Sequence, residues 1–397
     1  MTFPFSINSE RKIVVAILAL AAALRVIAAI VIPDQSHALV DALTYRDTAA
    51  HFAKTWQMVN WYEMPLYPLL IAITGPGFGQ LGADIILSVI SVWLVYALAD
   101  QLFADQYARI LAGAATACYP PLIFFSIVGL TETLFITLIL AAFLFWYRGQ
   151  FTAAAIFAVL AVLTRPVFDL FAPLLVLLFA LVIHGLPTTK ALRHLGVYLV
   201  IYCALMAPWW LNNYYAYGGF VRLTLGAGTA LYAGNNPLNH SGGGNLGVDY
   251  DLSAFANITD PIKRDRALRN AATEFIVHNP QRFLKLATLK FVRMWQFWPA
   301  NEAYKSVGII IISIASFVPV LLLASLGLFA KRQLLRRLSP IMCFFLGYTA
   351  AHMILVGTIR YVLPLEPFLL IFAAAGASDL IENATAQRDC SVGSSSD

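Results

Sequence analysis

The chain has 397 residues, of which 60% are hydrophobic and only 12% charged, about half the roughly 25% charged share of an ordinary soluble domain. With a mean hydropathy of +0.75, this excludes a disordered chain, a coiled coil and a cytosolic enzyme, and leaves a polytopic membrane protein. The net charge of +5 points to basic loops on the cytoplasmic side rather than to a nucleic-acid partner.

A spanning helix needs about 20 apolar residues to cross roughly 30 Å of hydrocarbon. The first such run is 13–32, preceded by Arg11 and Lys12 and interrupted by Arg25; its length reads as an uncleaved helix rather than a signal peptide. Further spans are expected near 80–100, 108–128, 131–147, 150–164, 167–184, 194–212, 306–329, 338–357 and 361–381, about ten in all. Sorting Lys and Arg with the N-terminus inside puts eleven in the inner loops and tails and four in the short outer segments, as the positive-inside bias requires. Both ends are then inside, and two large loops, 33–79 and 213–305, are extracytoplasmic. The domain reading is one transmembrane unit, 1–383, followed by a disordered cytoplasmic tail, 384–397. Cys118, Cys203 and Cys343 lie in apolar runs and Cys390 in the tail, so no disulfide framework is indicated.

The first outer loop contains VDALTYRDTAAHFAKTWQ. Asp41, Tyr45 and Ala49 recur every four residues and share one helical face. Trp56, Trp61, Tyr62 and Tyr67 suit the headgroup region, and 65–73, too short to span, reads as an interfacial helix. In the second loop, Asp260-Pro261 marks a helix start, an N-cap followed by proline at the first helical position, and Asn279-Pro280 its end. The next stretch, QRFLKLATLKFVRMWQFW, is amphipathic, with Arg282, Lys285, Lys290 and Arg293 on one arc. It reads as a helix binding anionic lipids, or as one whose cations reach the phosphate of a lipid-linked substrate.

Charges within spans are costly, about 2.5–3.5 kcal/mol at the bilayer centre on insertion scales, and so mark function or internal pairing. Glu132, Arg165, Asp169, His352, Arg360 and Glu366 all fall at outer ends and turns. With Asp41 they collect acids and bases on one membrane face. Arg25 is expected to pair with a buried acid or a carbonyl.

These pieces form an ordered set: DALTYRDTA, PLYPLLIA, TETLF, LTRP, PWWLNNYYAYGGF, ALYAGNNP, FIVHNPQRFLKLATLKFVRMW and RYVLPLEPFLL. Their order and spacing, over roughly 40–370, resemble the GT-C type integral-membrane glycosyltransferases. The nearest pattern is family 39, the group of protein mannosyltransferases and lipid A aminoarabinose transferases. The resemblance implies an all-α, GT-C-like membrane fold. It also implies inverting transfer of a sugar from a polyprenyl-phosphate donor to an extracytoplasmic glycolipid, polysaccharide or protein, at a bacterial inner membrane with the site facing the periplasm.

The acid opening the family's D-x-x-x-Y pattern matches Asp41, with Tyr45 one turn on. Relatives often have a second acid beside it where this chain has Ala42, with Asp47 as a substitute. The W-x-x-R-N-Y form here carries Asn212 in place of arginine. The resemblance implies Asp41 as general base; a phosphate leaving group needs cations, for which Arg165 and Arg360 are the first candidates, followed by Lys290 and Arg293, with Tyr45 and Asn235 as further substrate-binding residues. Glu132 orients the acceptor or shares a divalent metal with Asp41. Membrane lipids complete the partners. The alternative reading is a transporter or flippase of a lipid-linked sugar.

Overall fold

The computed structural model describes residues 7–33, 39–59, 62–103, 105–298 and 306–393. They form sixteen α-helices, with no strand among the described residues beyond one isolated bridge between Leu246 and Tyr250. Five segments are long and apolar enough to cross a membrane: Asn8–Val31, Phe78–Phe103, Thr188–Tyr217, Val307–Ala330 and Ile359–Thr385. They belong to helices α1 (Ile7–Val31), α4 (Phe78–Phe103), α10 (Thr188–Tyr217), α14 (Val307–Ala330) and α16 (Glu366–Gly393).

The remaining apolar runs are shorter or broken. The single span expected at 108–128 is two helices, α5 (Gln106–Cys118) and α6 (Pro120–Phe125). Pro120 and Pro121 cause the break, because neither can donate to the preceding turn and Pro120 drives Tyr119 into extended backbone, φ −73° and ψ 113°. The run at 167–184 is likewise composite: a 3-10 turn (Pro166–Leu170), α9 (Ala172–Leu178) and a π turn (Phe179–Ile183). The last run begins with two 3-10 turns, Ile359–Tyr361 and Leu363–Leu365, before α16. That helix continues to Gly393.

At the centre stands α7 (Glu132–Tyr147), in which every side chain but Phe145 is buried. An all-apolar helix needs neighbours on every side, and α7 finds them in α4, α8 (Phe151–Val162) and the turn before α16. Phe143 anchors the packing, with the rings of Trp146, Phe179, Phe344 and Phe368 centred 5.0–5.8 Å away. This encased helix carries Glu132 as its first residue and so fixes that carboxylate in space.

The loop helices follow the sequence closely. α2 (Val40–Thr55) carries Asp41; α3 (Leu66–Thr74) is the short helix expected at 65–73. α11 (Ala227–Gly234) precedes α12 (Pro261–His278), whose N-cap Asp260 accepts from the Ile262 and Lys263 amides at 2.9 and 3.1 Å. α13 (Pro280–Met294) follows at once, and α15 (Leu335–Ile354) leads back toward the site.

The orientation of α13 differs from the expected one. Lys290 is fully buried and Arg282 donates to the carbonyls of Pro237 and Asn239, at 2.6 and 3.2 Å. The exposed face instead holds Leu284, Phe291 and Val292, with Lys285 the cation that still points outward. Loop carbonyls take Arg282, while the Asn235 side chain and the Ile354 carbonyl at the end of α15 take Lys290. Tyr67 is a second correction: rather than facing the headgroup region it is fully buried, with its hydroxyl donating to Asp84 at 2.7 Å. Trp56 and Tyr62 are exposed, and Trp61 lies outside the described residues. Arg25 is buried and bonded to the Ala21 and Ala117 carbonyls, both at 3.0 Å, and to Ser88 Oγ at 2.7 Å. Cys118, Cys203 and Cys343 are free thiols.

Candidate active site

Three elements far apart in sequence converge at one end of the bundle. α7 supplies Glu132, wholly buried. A carboxylate in the first turn of a helix is stabilised by the unpaired amides and dipole there. The turn between α8 and Pro166 supplies Arg165, held extended at φ −140° and ψ 117° as the residue before a proline prefers. The 3-10 turn after α15 supplies Arg360, its amide donating to Thr358 Oγ at 3.2 Å.

Arg360 is the hub. Its Nη1 donates to Asp41 Oδ2 at 2.5 Å, while Nε and Nη2 face the two oxygens of Glu132. Arg165 approaches the same Glu132 from the other side, Nη1 to Oε1 at 3.3 Å. Its guanidinium lies 5.4 Å from the Tyr361 ring and 5.8 Å from Phe135, a cation–π setting that helps hold it in place. Tyr361 in turn stacks on buried His352 with centroids 4.1 Å apart. Exposure separates the two carboxylates. The Asp41 side chain is 50% exposed and that of Glu132 is 0%.

Tyr45 does not point into open space. It is buried, packed edge-on against Tyr67 at 5.3 Å. Behind it, Arg46 Nε donates to Gln80 Oε1 at 2.9 Å, Gln80 Nε2 to the Tyr67 hydroxyl at 3.1 Å, and that hydroxyl to Asp84. This chain ties α2, and therefore Asp41, to α3 and α4. Asp47 is exposed on the outer side of α2.

Glu63 is the site residue that sequence reading overlooked. It is half-buried. Burial, reinforced by the Asp41 charge, pushes its carboxyl up to about 8 against the pull of Arg360. It thus sits protonated at neutral pH within electrostatic reach of both groups. The available signal was one acid in the otherwise neutral aromatic stretch WYEMP.

Lys290, expected on the donor phosphate, and Asn235, expected to bind substrate, form a separate clamp. Lys290 Nζ donates to Asn235 Oδ1 and to the Ile354 carbonyl, both at 3.0 Å. Asn235 Nδ2 donates to that same carbonyl at 2.8 Å and to Leu231 at 2.9 Å. Burial pushes the Lys290 ammonium down to about 7. The clamp grips the end of α15, six residues before Arg360, so these groups act on the site through the backbone. Arg293 is half-buried beside Gly243, its Nε without a partner among the described residues. Glu366 is buried nearer Tyr119.

A divalent metal between Asp41 and Glu132 does not fit this donor set. Both carboxylates already bind Arg360, and a hard cation needs about six oxygen ligands. Among the described residues no group of three or more His, Cys, Asp or Glu side chains could hold one.

Solved structures of other membrane proteins share this all-α fold. The archaeal oligosaccharyltransferase AglB from Archaeoglobus fulgidus, in complex with an inhibitory peptide and a dolichol-phosphate, overlaps 97% of this chain and 52% of its own, with TM-score 0.54 and 14% identity. The Archaeoglobus fulgidus oligosaccharyltransferase tethered to an acceptor peptide overlaps 94% and 50%, with TM-score 0.57 and 13% identity. ArnT from Cupriavidus metallidurans, bound to undecaprenyl phosphate, overlaps more weakly: TM-score 0.45, 14% identity, 91% of this chain and 59% of its own. The chain thus spans about half the length of the oligosaccharyltransferase chains. No family model matches it, and no curated protein sequence does at a significant level.

Proposed function

We propose that this protein transfers a sugar, with inversion, from a polyprenyl-phosphate donor to an acceptor hydroxyl on the extracytoplasmic side of a bacterial inner membrane. The observation that carries the reading is the Arg360 fork, which joins half-exposed Asp41 to buried Glu132 with Arg165 behind it. The fold shared with an enzyme that holds dolichol-phosphate supports it.

In this reading Asp41 accepts the acceptor's proton as its oxygen attacks the anomeric carbon. The bond from that carbon to the phosphate oxygen breaks, and its electron pair stays on the leaving phosphate. Arg360 and Arg165 neutralise that charge, so no acid is required. Glu132 is a positioning residue: pinned at the head of α7, it holds both guanidinium groups at one spacing.

Two measurements on the purified full chain test this. Arg360→Ala weakens polyprenyl-phosphate binding, and Asp41→Asn keeps binding but loses transfer. Intact transfer by Asp41→Asn would reject the base.

A further inference from the structure

Arg25 lies in the spanning helix α1 and is wholly buried. A guanidinium keeps its charge in proteins, so a buried one needs acceptors for its N–H groups and an opposite charge to balance it. The fold supplies acceptors for part of it. Pro121 has no N–H to offer the carbonyl four residues back, and Arg25 Nη1 takes that carbonyl, Ala117, at 3.0 Å. Nη1 also donates to the Ala21 carbonyl at 3.0 Å, and Nε to Ser88 Oγ at 2.7 Å. Nη2 is buried with no partner among the described residues. No acid supplies the balancing charge: among the described residues Arg25 makes no ion pair, whereas Arg165 and Arg360 share Glu132.

Against this side chain lies a small cavity of about 10 Å³, room for a single water-sized species. Arg25, Ser88, Ser91, Thr116 and Thr133 line it, and apolar side chains of α6 and α7 close the rest. Thr116 and Thr133 give their protons to the Ala112 and Phe125 carbonyls, at 2.7 and 2.9 Å. Ser88 accepts from Arg25 and makes no donation among the described residues, so its proton is free for the cavity. Ser91 and Thr137 share a bond of 2.8 Å in which either hydroxyl can be the donor. With Thr137 donating, the Ser91 proton, otherwise on the Leu87 carbonyl at 3.1 Å, can turn to the cavity as well. The cavity therefore offers one fixed positive charge, N–H and O–H donors, and no carboxylate.

We propose that this cavity binds one small monovalent anion of the halide class, chloride, held by Arg25 Nη2 and the Ser88 and Ser91 hydroxyls. A water would satisfy Nη2 but leave the guanidinium charge unbalanced inside the membrane. Sulfate or phosphate exceeds the room. A monatomic anion is only slightly larger than water, and the two serine hydroxyls rotate to receive it. The ion would tie α1 to α4 and to α7 at Thr133, the residue that follows Glu132. It is a structural ligand of the bundle, independent of the transfer reaction proposed above.

The test uses the purified full chain in nanodiscs of neutral lipid, with radiolabelled chloride as the probe and gluconate holding the ionic strength constant. Binding should saturate at one chloride per chain. Bromide should displace the label and sulfate should not. Arg25→Gln should abolish saturable binding, and Ser88→Ala should weaken it about tenfold, the loss of one hydrogen bond to a charged group. The thermal midpoint of the unsubstituted chain should rise as chloride replaces gluconate, because a ligand that binds only the folded state stabilises it. The proposal falls if no saturable binding is found, which would leave a water in the cavity. It also falls if Arg25→Gln binds as well as the unsubstituted chain, or if sulfate displaces the label as well as bromide, which would place the ion on the surface. Should Arg25→Gln not fold, Ser88→Ala decides alone: unchanged chloride affinity there overturns the site.

Discussion

Two charge clusters, one near each end of α4, differ in character. At the far end, Arg109 binds both oxygens of Glu10, at 2.6 and 2.9 Å, and reaches Asp100, while Tyr96 and Gln106 complete the Glu10 shell at 2.6 and 3.0 Å. Every partner is local to α1, α4 and α5, and the group staples those helices together. At the site end, two arginines share one buried carboxylate, and a second carboxylate stays half-exposed at the edge. The far cluster is satisfied from within. Under the proposed transfer reaction, the site cluster would set two cations and one accessible base where a phosphate and a hydroxyl meet.

Substitutions should separate the two ends. The largest effect is expected from Asp41→Asn, which keeps size and hydrogen bonding but cannot take a proton; transfer should slow by about 10²–10⁴-fold, measured with a lipid-linked sugar donor. Asp47→Asn, on the outer side of α2, should be far milder. Next, Arg360→Ala should cut donor affinity by roughly ten- to a hundredfold, the range for charge-assisted hydrogen bonds, with Arg360→Lys recovering part because a point charge lacks the fork. Direct binding to polyprenyl phosphate reads this, and no change would remove Arg360 from the site. Arg109→Ala should instead lower the thermal midpoint and leave the transfer rate of the folded fraction intact. A rate loss at constant stability would erase the distinction between the ends.

The smallest effect is a pH signature. Glu63 binds its proton more tightly when folded, at about 8 against an ordinary 4.5. The folded state therefore holds more protons across that window, and stability falls as pH rises from 4.5 to 8. Lys290 works the other way, at about 7 against 10.5, so the unfolded chain holds more protons and stability rises from pH 7 to 10.5. Glu63→Gln should flatten the lower window and leave the upper one. Thermal midpoints across both windows check this.

Much of the fold was legible. Asp260-Pro261 announces α12 by capping chemistry alone, and the long apolar runs announce their helices by length. What failed was whatever depends on a partner elsewhere in the chain. Amphipathicity gave α13 two faces but could not say that loop carbonyls would claim Arg282, or that Asn235 and the end of α15 would claim Lys290. The Pro120-Pro121 break was visible as residues and lost in an averaged hydropathy. At the site, Asp41, Glu132, Arg165 and Arg360 were each legible as charges in costly places, but Arg360 meets Asp41 from 319 residues away, a pairing that only the fold reveals. Glu63 stayed hidden because its proton affinity comes from burial.

The segment after α15 is held so tightly that no side chain fits at two of its contacts. A Cβ on Gly234 would lie 1.7 Å from the Leu355 carbonyl oxygen, and one on Gly357 2.2 Å from the Lys290 carbonyl oxygen. Either methyl group must push the strap that leads to Arg360, and displacing a reacting group by about 1 Å can cost roughly 10²-fold in rate. Alanine at Gly234 or Gly357 would then behave in a genetic screen like damage to the chemistry itself, although it alters no polar atom and lies on a strap rather than in the charged cluster.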